Sequence, residues 1–545
     1  MKRVIFGATV VTLAATPWIN SDALIIPKII SLACLASFLL PTLIMNYKTF
    51  LTDRKIKLLL ILCVVFIIQM VMAMLISKAP FEQEFFGRTG RGLGFITYFS
   101  LVVIMLYTAI NINLSDLTKI FQGLLFSCLL SSAYSISQFF GVDFSDWRTQ
   151  TNGIIGTIGN PNFQSSFVAI AFVPGIVYLW SRKYSSFLIS GAIFILLFTL
   201  YICESTQGYI ALASSLAVFI LLKLWFSKSK LIFTATLIPT ILTGLIAIAG
   251  MLDKGPLSYY LYKVSVRSRG EMWQTAYSVI KSNPVFGVGL DSLGDYSLMY
   301  QNEKTANGIA EFIDNSHNFF LQFAATGGII LALCYIGIIL LSLHSFFVLQ
   351  KRIGKFDRNV AALFAAWISF QLQSLISPAV IPTLVWNFIF LGTFIGLSNQ
   401  SNLKTELVQE RTSKRINNAT KKSVNGAGFI SAILALVLTF PLFNADKLTR
   451  QADRKKDALL AVKAAKTYPE SVIRYNLLGA GLYESGLYDL SLEIGRSAVK
   501  FNPNSYQTWI LILVNPRATN EERNKAKEQL MKIDPFNKNI QNYRF

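Results

Sequence analysis

The chain is predicted to be all-α: a polytopic helical membrane protein of about 12–13 transmembrane helices with a small helical-repeat domain at its C-terminal end. Three observations carry this reading. Hydrophobic residues make up 53% of the 545 and charged residues only 14%, whereas a soluble domain carries roughly 25% charged residues. Apolar stretches of about 17–25 residues, long enough to cross a bilayer as helix, recur as far as residue 443. Beyond them, a polar segment repeats small residues and prolines at a spacing of 34.

The apolar stretches lie near 3–18, 24–45, 56–76, 94–112, 117–140, 163–181, 186–203, 208–226, 230–251, 319–348, 358–377, 381–398 and 427–443. The first begins Met1-Lys2-Arg3 like a signal peptide, but no small-x-small cleavage site follows, so an uncleaved helix is expected. Residues 1–400 form the membrane body, interrupted by one long polar loop at 252–318. Residues 401–426 read as a charged linker without apolar periodicity. The span 427–443 then delivers the tail 446–545 to the opposite face.

The net charge of +21 does not indicate nucleic-acid binding. With the N-terminus inside, "NYKTFLTDRKIK", "SRKY", "KRIGKFDR" and "KTELVQERTSKRINNATKK" all fall on the cytoplasmic side, as the positive-inside rule requires. The excess charge thus orients the protein, with loop 252–318 and the tail outside. The five cysteines all lie within or at the end of spans and have neither metal-ligand nor disulfide-framework spacing.

In the tail, Ala464 and Ala498 are 34 apart, as are Pro469 and Pro503, with Tyr475, Leu478, Gly479, Gly486 and Tyr488 between. This pattern resembles the tetratricopeptide repeat, in which large residues pack two antiparallel helices and glycines mark their contacts. Pro535 follows Pro503 by 32, so the next repeat is degenerate. Such a stack serves either as a docking surface for an envelope protein or glycan, or as a lid on the body.

The chemistry is concentrated in loop 252–318. Ser268 with Glu271 three residues later fits a capping box opening a helix, which Asn283-Pro284 would end. Arg269 would then lie in the first turn, where helix N-termini favour phosphates and arginine adds a bidentate fork; Arg267 lies just upstream. The alternative is a pair of surface arginines on an amphipathic helix. Gly287, Gly289 and Gly294 in "PVFGVGLDSLG" have no βαβ unit around them, so a tight turn explains them better than dinucleotide binding.

His317 lies where the loop meets the tenth span, with Asn315 or Ser316 available as N-cap. In the first turn its ring would stay neutral and able to accept a proton; Asp314, three residues earlier, would instead raise its basicity or orient it. The alternative is a structural histidine. His344 is incidental, and no cluster suits a metal. Two other outer loops, "FEQEFFGRTGRGLG" with Arg88 and Arg91 and "DWRTQTNGIIGTIGNPN" with Arg148, offer further phosphate contacts or ordinary interfacial turns.

Together, "FFGRTGRGLGFITY", "GTIGNPN", Arg269 with Trp273, "NPVFGVGLDSLGDY", and His317-Asn318 with Gly327-Gly328 resemble the O-antigen ligase and polymerase superfamily of bacterial envelope glycosyltransferases. The resemblance covers roughly residues 1–400. It implies a metal-independent, cofactor-free, inverting enzyme of the cytoplasmic membrane. Such an enzyme passes a glycan from an undecaprenyl-pyrophosphate carrier to a glycan, lipid or protein hydroxyl at the outer face. It further implies that His317 is the general base and Arg269 a pyrophosphate contact, assisted by Arg267, Arg88, Arg91 and Arg148. One departure stands out: members often carry Ser-Arg-Gly after the seventh span, where this chain reads Ser205-Thr206-Gln207-Gly208. Gln207 supplies no charge, so another arginine must compensate or the donor differs. The competing readings are a lipid-linked glycan transporter and a non-catalytic scaffold. The near absence of ionisable residues at mid-membrane argues against an ion-coupled transporter.

Overall fold

The computed structural model describes residues 1–143, 145, 147, 153–227, 229–262, 264–303, 313–399 and 418–544. All regular secondary structure among them is helical. A helix occupies each of the thirteen expected spans: Lys2–Leu13, Ile25–Met45, Arg54–Ile76, Phe95–Asn111, Leu117–Phe139, Pro161–Ser181, Ser186–Ile202, Thr206–Trp225, Lys230–Met251, Phe319–Ile353, Arg358–Ser374, Ile381–Asn399 and Asn418–Lys455. Nine helices among the described residues are long and apolar enough to cross a membrane, and Phe95–Asn111 and Ser186–Ile202 are apolar but shorter. The first helix stops at Leu13 rather than continuing to 18. Pro17 accounts for this, because it has no N–H to bond the Leu13 carbonyl four residues earlier and its ring would clash with it.

The bundle is built around Ile381–Asn399, whose apolar window is entirely buried. Gly392 and Gly396 let the Phe95–Asn111 helix approach closely. A Cβ at either would come within 2.4 Å of the backbone oxygen of Met105 or Ala109, respectively. Small residues four apart serve this purpose where lipid supplies no hydrophobic drive between helices. Lys230–Met251 lies at the other extreme, with none of its window buried.

The last helix does not break at the expected boundary near 443 but runs from Asn418 to Lys455. Its polar extension is held by the N-terminal loop: Asp446 accepts from the Ser21 and Asp22 amides at 2.6 and 3.0 Å, and Arg450 donates to the Asn20 carbonyl. Ala452 is buried in the core of the tail together with Ala464, Tyr475, Leu478, Ile494 and Ala498. The tail helices Ala458–Ala465, Val472–Glu484, Tyr488–Phe501, Tyr506–Leu513 and Asn520–Ile533 pack in sequence. A Cβ at Gly479 would stand 2.8 Å from Leu511, so this glycine permits close helix approach.

Candidate active site

The Phe319–Ile353 helix is broken near its start. Gly328 has φ 86° and ψ 166°, so the backbone groups around it lose their helical partners and must find others. The glycine-rich segment supplies them. Val288 and Gly289 amides donate to the Ala325 and Thr326 carbonyls at 3.0 Å, and Ile329 donates to the Pro284 carbonyl at 2.8 Å. Gln69, from the Arg54–Ile76 helix, donates to both Val285 and Gly327 carbonyls. Only glycine fits at the contact, since a Cβ on Gly328 would lie 1.9 Å from the Val285 oxygen. The expected tight turn at "PVFGVGLDSLG" is therefore also a splint across a helix break. It fixes the short N-terminal piece that follows His317.

Asn318, not Asn315 or Ser316, caps that piece, its side-chain oxygen accepting from the Phe320 and Leu321 amides. His317 thus precedes the helix rather than sitting in its first turn. Asn315 Oδ1 accepts from the His317 amide at 2.9 Å, and Ser316 donates from its backbone to Gln322 and from its hydroxyl to the Asn318 carbonyl. This turn holds His317 at φ 51°, a left-handed conformation that persists for a non-glycine residue only where neighbours enforce it. The Nδ1 atom of its ring is buried without a hydrogen-bond partner.

Arg91 approaches through a bidentate pair with Asp314, Nε and Nη2 donating at 2.8–3.0 Å. Burial alone would raise the Asp314 carboxyl, but Arg91's charge and hydrogen bonds hold it below its ordinary value. His317 is lowered to about 4, first by burial and then by the charges of Arg91 and Arg269, with Asp314 opposing. The neutral ring expected from a helix dipole is thus produced mainly by burial and two guanidinium groups. Arg269, itself lowered by burial, is close enough for its charge to bear on the imidazole.

The capping box at Ser268 does not form. The helix starts earlier and runs Val264–Ser282, because Ser and Glu three apart are equally compatible with a helix interior. Glu271 instead faces Arg267, one turn earlier, at 3.7 Å. Arg269 is therefore well inside the helix, away from the unpaired amides of its N-terminus, and has only its own charge to offer an anion. Ala276 and Val279 anchor this helix, packing with Val288, Leu293 and Ala325. Asn283-Pro284 follows its end, as expected.

The remaining arginines separate. Arg88 is buried, donating to Asp295 at 2.9 Å, while its amide donates to Asp291. Asp295 also accepts from Gln83 and from Asn502 of the tail. Arg88 is thus a clamp between the loop, the glycine-rich segment and the tail, with its charge already neutralised. Arg267 is largely exposed. Arg148 lies outside the described residues. Gln207 is buried, with Nε2 unpartnered; among the described residues Arg91 is the loop arginine whose charge bears on His317. Glu84 escaped the sequence reading. It accepts from Ser77 and the Leu290 amide, and burial lifts it to about 7. Among the described residues no group of three His, Cys, Asp or Glu side chains is placed to hold a metal.

A multi-span helical protein with arginines and a neutral histidine gathered at one end of the bundle suits an anionic substrate. A family model described as O-antigen ligase matches residues 191–336, so that stretch of the chain is similar to the O-antigen ligases. The match encloses Arg269, the glycine-rich splint, His317 and the helix break. It supports a membrane protein of the glycan ligase or polymerase type. No curated protein matches the chain.

Proposed function

We propose that the protein transfers a glycan from an undecaprenyl-pyrophosphate-linked donor to an acceptor hydroxyl at the outer face of a bacterial cytoplasmic membrane. The observation that carries this reading is the buried, unpartnered Nδ1 of His317 beside the Arg91–Asp314 pair and within electrostatic reach of Arg269. In this reading the acceptor oxygen attacks the anomeric carbon while His317 takes its proton. The bond from that carbon to the pyrophosphate oxygen breaks, and the carrier leaves as an anion. A single displacement of this kind inverts the anomeric centre and requires neither metal nor cofactor. Arg269 and Arg91 supply fixed positive charge where negative charge develops, which is where preorganised electrostatics contributes most.

A histidine at about 4 is a weak base in the unliganded protein. Arrival of the pyrophosphate offsets the two guanidinium charges and raises basicity, though the burial that lowers it most remains, so the base is armed by its substrate. The acceptor determines whether the enzyme acts as a ligase, a polymerase or a protein O-oligosaccharyltransferase. The tail, hydrogen-bonded to the site's supports through Asn502–Asp295, Asn504–Tyr296 and Thr89–Ser471, is read as a tetratricopeptide-like element that presents the acceptor or an envelope partner.

The test uses purified full-length protein with a defined lipid-linked donor. His317→Ala is expected to lower transfer by about 100- to 10,000-fold, the usual contribution of general-base catalysis, while donor binding is largely kept. Near-normal turnover would remove the assignment. The size and attachment of the product then identify the acceptor class.

A further inference from the structure

At the end of the bundle away from His317 lies an apolar cavity of about 270 Å³. The two sites sit at opposite ends of one helix, separated by 33 residues from His317 to Gln350. That corresponds to about 50 Å at the helical rise, less the effect of the break at Gly328. The cavity is bordered by the Thr206–Trp225, Lys230–Met251, Phe319–Ile353 and Arg358–Ser374 helices, with Leu222, Trp225, Phe233, Phe346 and Phe364 among its lining. It exists because Lys230–Met251 stands off the bundle, none of its apolar window being buried.

One lining residue is out of character. Gln350 is 7% exposed, and both polar atoms of its side chain lack a hydrogen-bond partner. A buried amide in hydrocarbon surroundings ordinarily finds a partner, and the walls here offer none. Basic residues neighbour the lining along the chain: Lys351 and Arg352 follow Gln350 in the last turn of its helix, Lys223 follows Leu222, and Lys230 opens the next helix one turn before Phe233. Asp357, the acidic residue in the following loop, is occupied in capping the Arg358–Ser374 helix.

We propose that this cavity holds an acyl chain of an anionic glycerophospholipid from the surrounding bilayer. The chain fills the Leu222–Phe346–Phe364 space, the ester region meets the Gln350 amide, and the phosphate sits among Lys223, Lys230, Lys351 and Arg352. A lipid seated there also props the loosely packed Lys230–Met251 helix, which leads directly into the polar segment carrying Arg269. The site is separate from glycan transfer and does not depend on that assignment.

The test is lipid retention by the full-length protein. Purified in mild detergent and delipidated, it is offered equal amounts of phosphatidylglycerol and phosphatidylcholine, and bound lipid is read by native mass spectrometry. The wild-type protein is expected to retain phosphatidylglycerol preferentially, by roughly fivefold for each basic residue engaged. Leu222→Trp, which fills the cavity, and K351E/R352E, which reverses the rim at exposed positions, are each expected to abolish the preference. Should Leu222→Trp fail to fold, the rim variant decides alone. Undiminished preference in the variants, equal retention of the two lipids, or displacement of phosphatidylglycerol by undecaprenyl phosphate would overturn the proposal.

Discussion

Arg88 and Arg91 belong to one short glycine-rich loop, yet they end in opposite electrostatic situations. Arg88 is 5% exposed and shares Asp295 with Gln83 and Asn502, so its guanidinium is matched by a buried carboxylate. Arg91, with 18% of its side chain exposed, pairs with a carboxylate that is itself 34% exposed and lies beside a histidine whose Nδ1 has no partner. The first region is finished as a structure; the second has hydrogen-bonding capacity left over. Buried charges fully paired within the protein hold a fold together, whereas partly open charges beside an unpartnered base remain free to engage a substrate.

Substitution separates the two most sharply. Arg88→Ala strands Asp295 inside the protein, and removing one member of a buried ion pair costs about 3 kcal/mol or more. The expected result is poor yield and early thermal unfolding, with residual activity following the folded fraction. If R88M/D295L recovers the stability, the region is purely structural; an inactive but well-folded double variant would show that Arg88 has a second role.

Arg91→Ala should do the reverse. Partly exposed pairs contribute roughly 0–1 kcal/mol, so thermal stability should change little. Loss of a charge aimed at the leaving group typically lowers turnover by about 100-fold. A well-folded Arg91→Ala variant with normal turnover would place the donor elsewhere. The smallest effect is expected at the tail contact. Asn502→Ala removes one hydrogen bond to a buried carboxylate that keeps Arg88 and Gln83, and about 1–2 kcal/mol of stability should go with it. A larger loss would mean that the tail supports the site more directly than these hydrogen bonds imply.

The same comparison shows what the sequence could and could not disclose. Hydropathy is local, and each of the thirteen apolar stretches became a helix. Asn160, Asp53 and Asp357 stand at helix starts where their cap chemistry suggests. The fates of Arg88 and Arg91 were not legible. They depend on Asp295 and Asp314, 207 and 223 residues away, and nothing within the loop distinguishes the two arginines. The helix starts at Val264 rather than at Ser268 because Ser268 and Glu271 suit a helix interior as readily as a cap. The break at Gly328 was hidden by its neighbours: Gly327-Gly328 lies within an apolar run, and only the docking of residues 284–289 makes it a fixed bend beside the site. His317 itself was visible, since only two histidines occur in the chain.

That scarcity permits a direct measurement of the central claim, that His317 is a neutral base armed by an anionic donor. With histidine isotopically labelled in the full-length protein, NMR titration should give two imidazole signals, assigned by His344→Gln. Without ligand, His317 should titrate near 4, well below its ordinary 6.5. Between those values the unfolded chain holds a proton that the folded one does not, so stability falls as pH is lowered through the window. Adding undecaprenyl pyrophosphate should raise the His317 value, and the acid limb of kcat should accordingly lie above that of kcat/KM. An unliganded value close to 6.5 that does not move when the pyrophosphate binds would contradict the account.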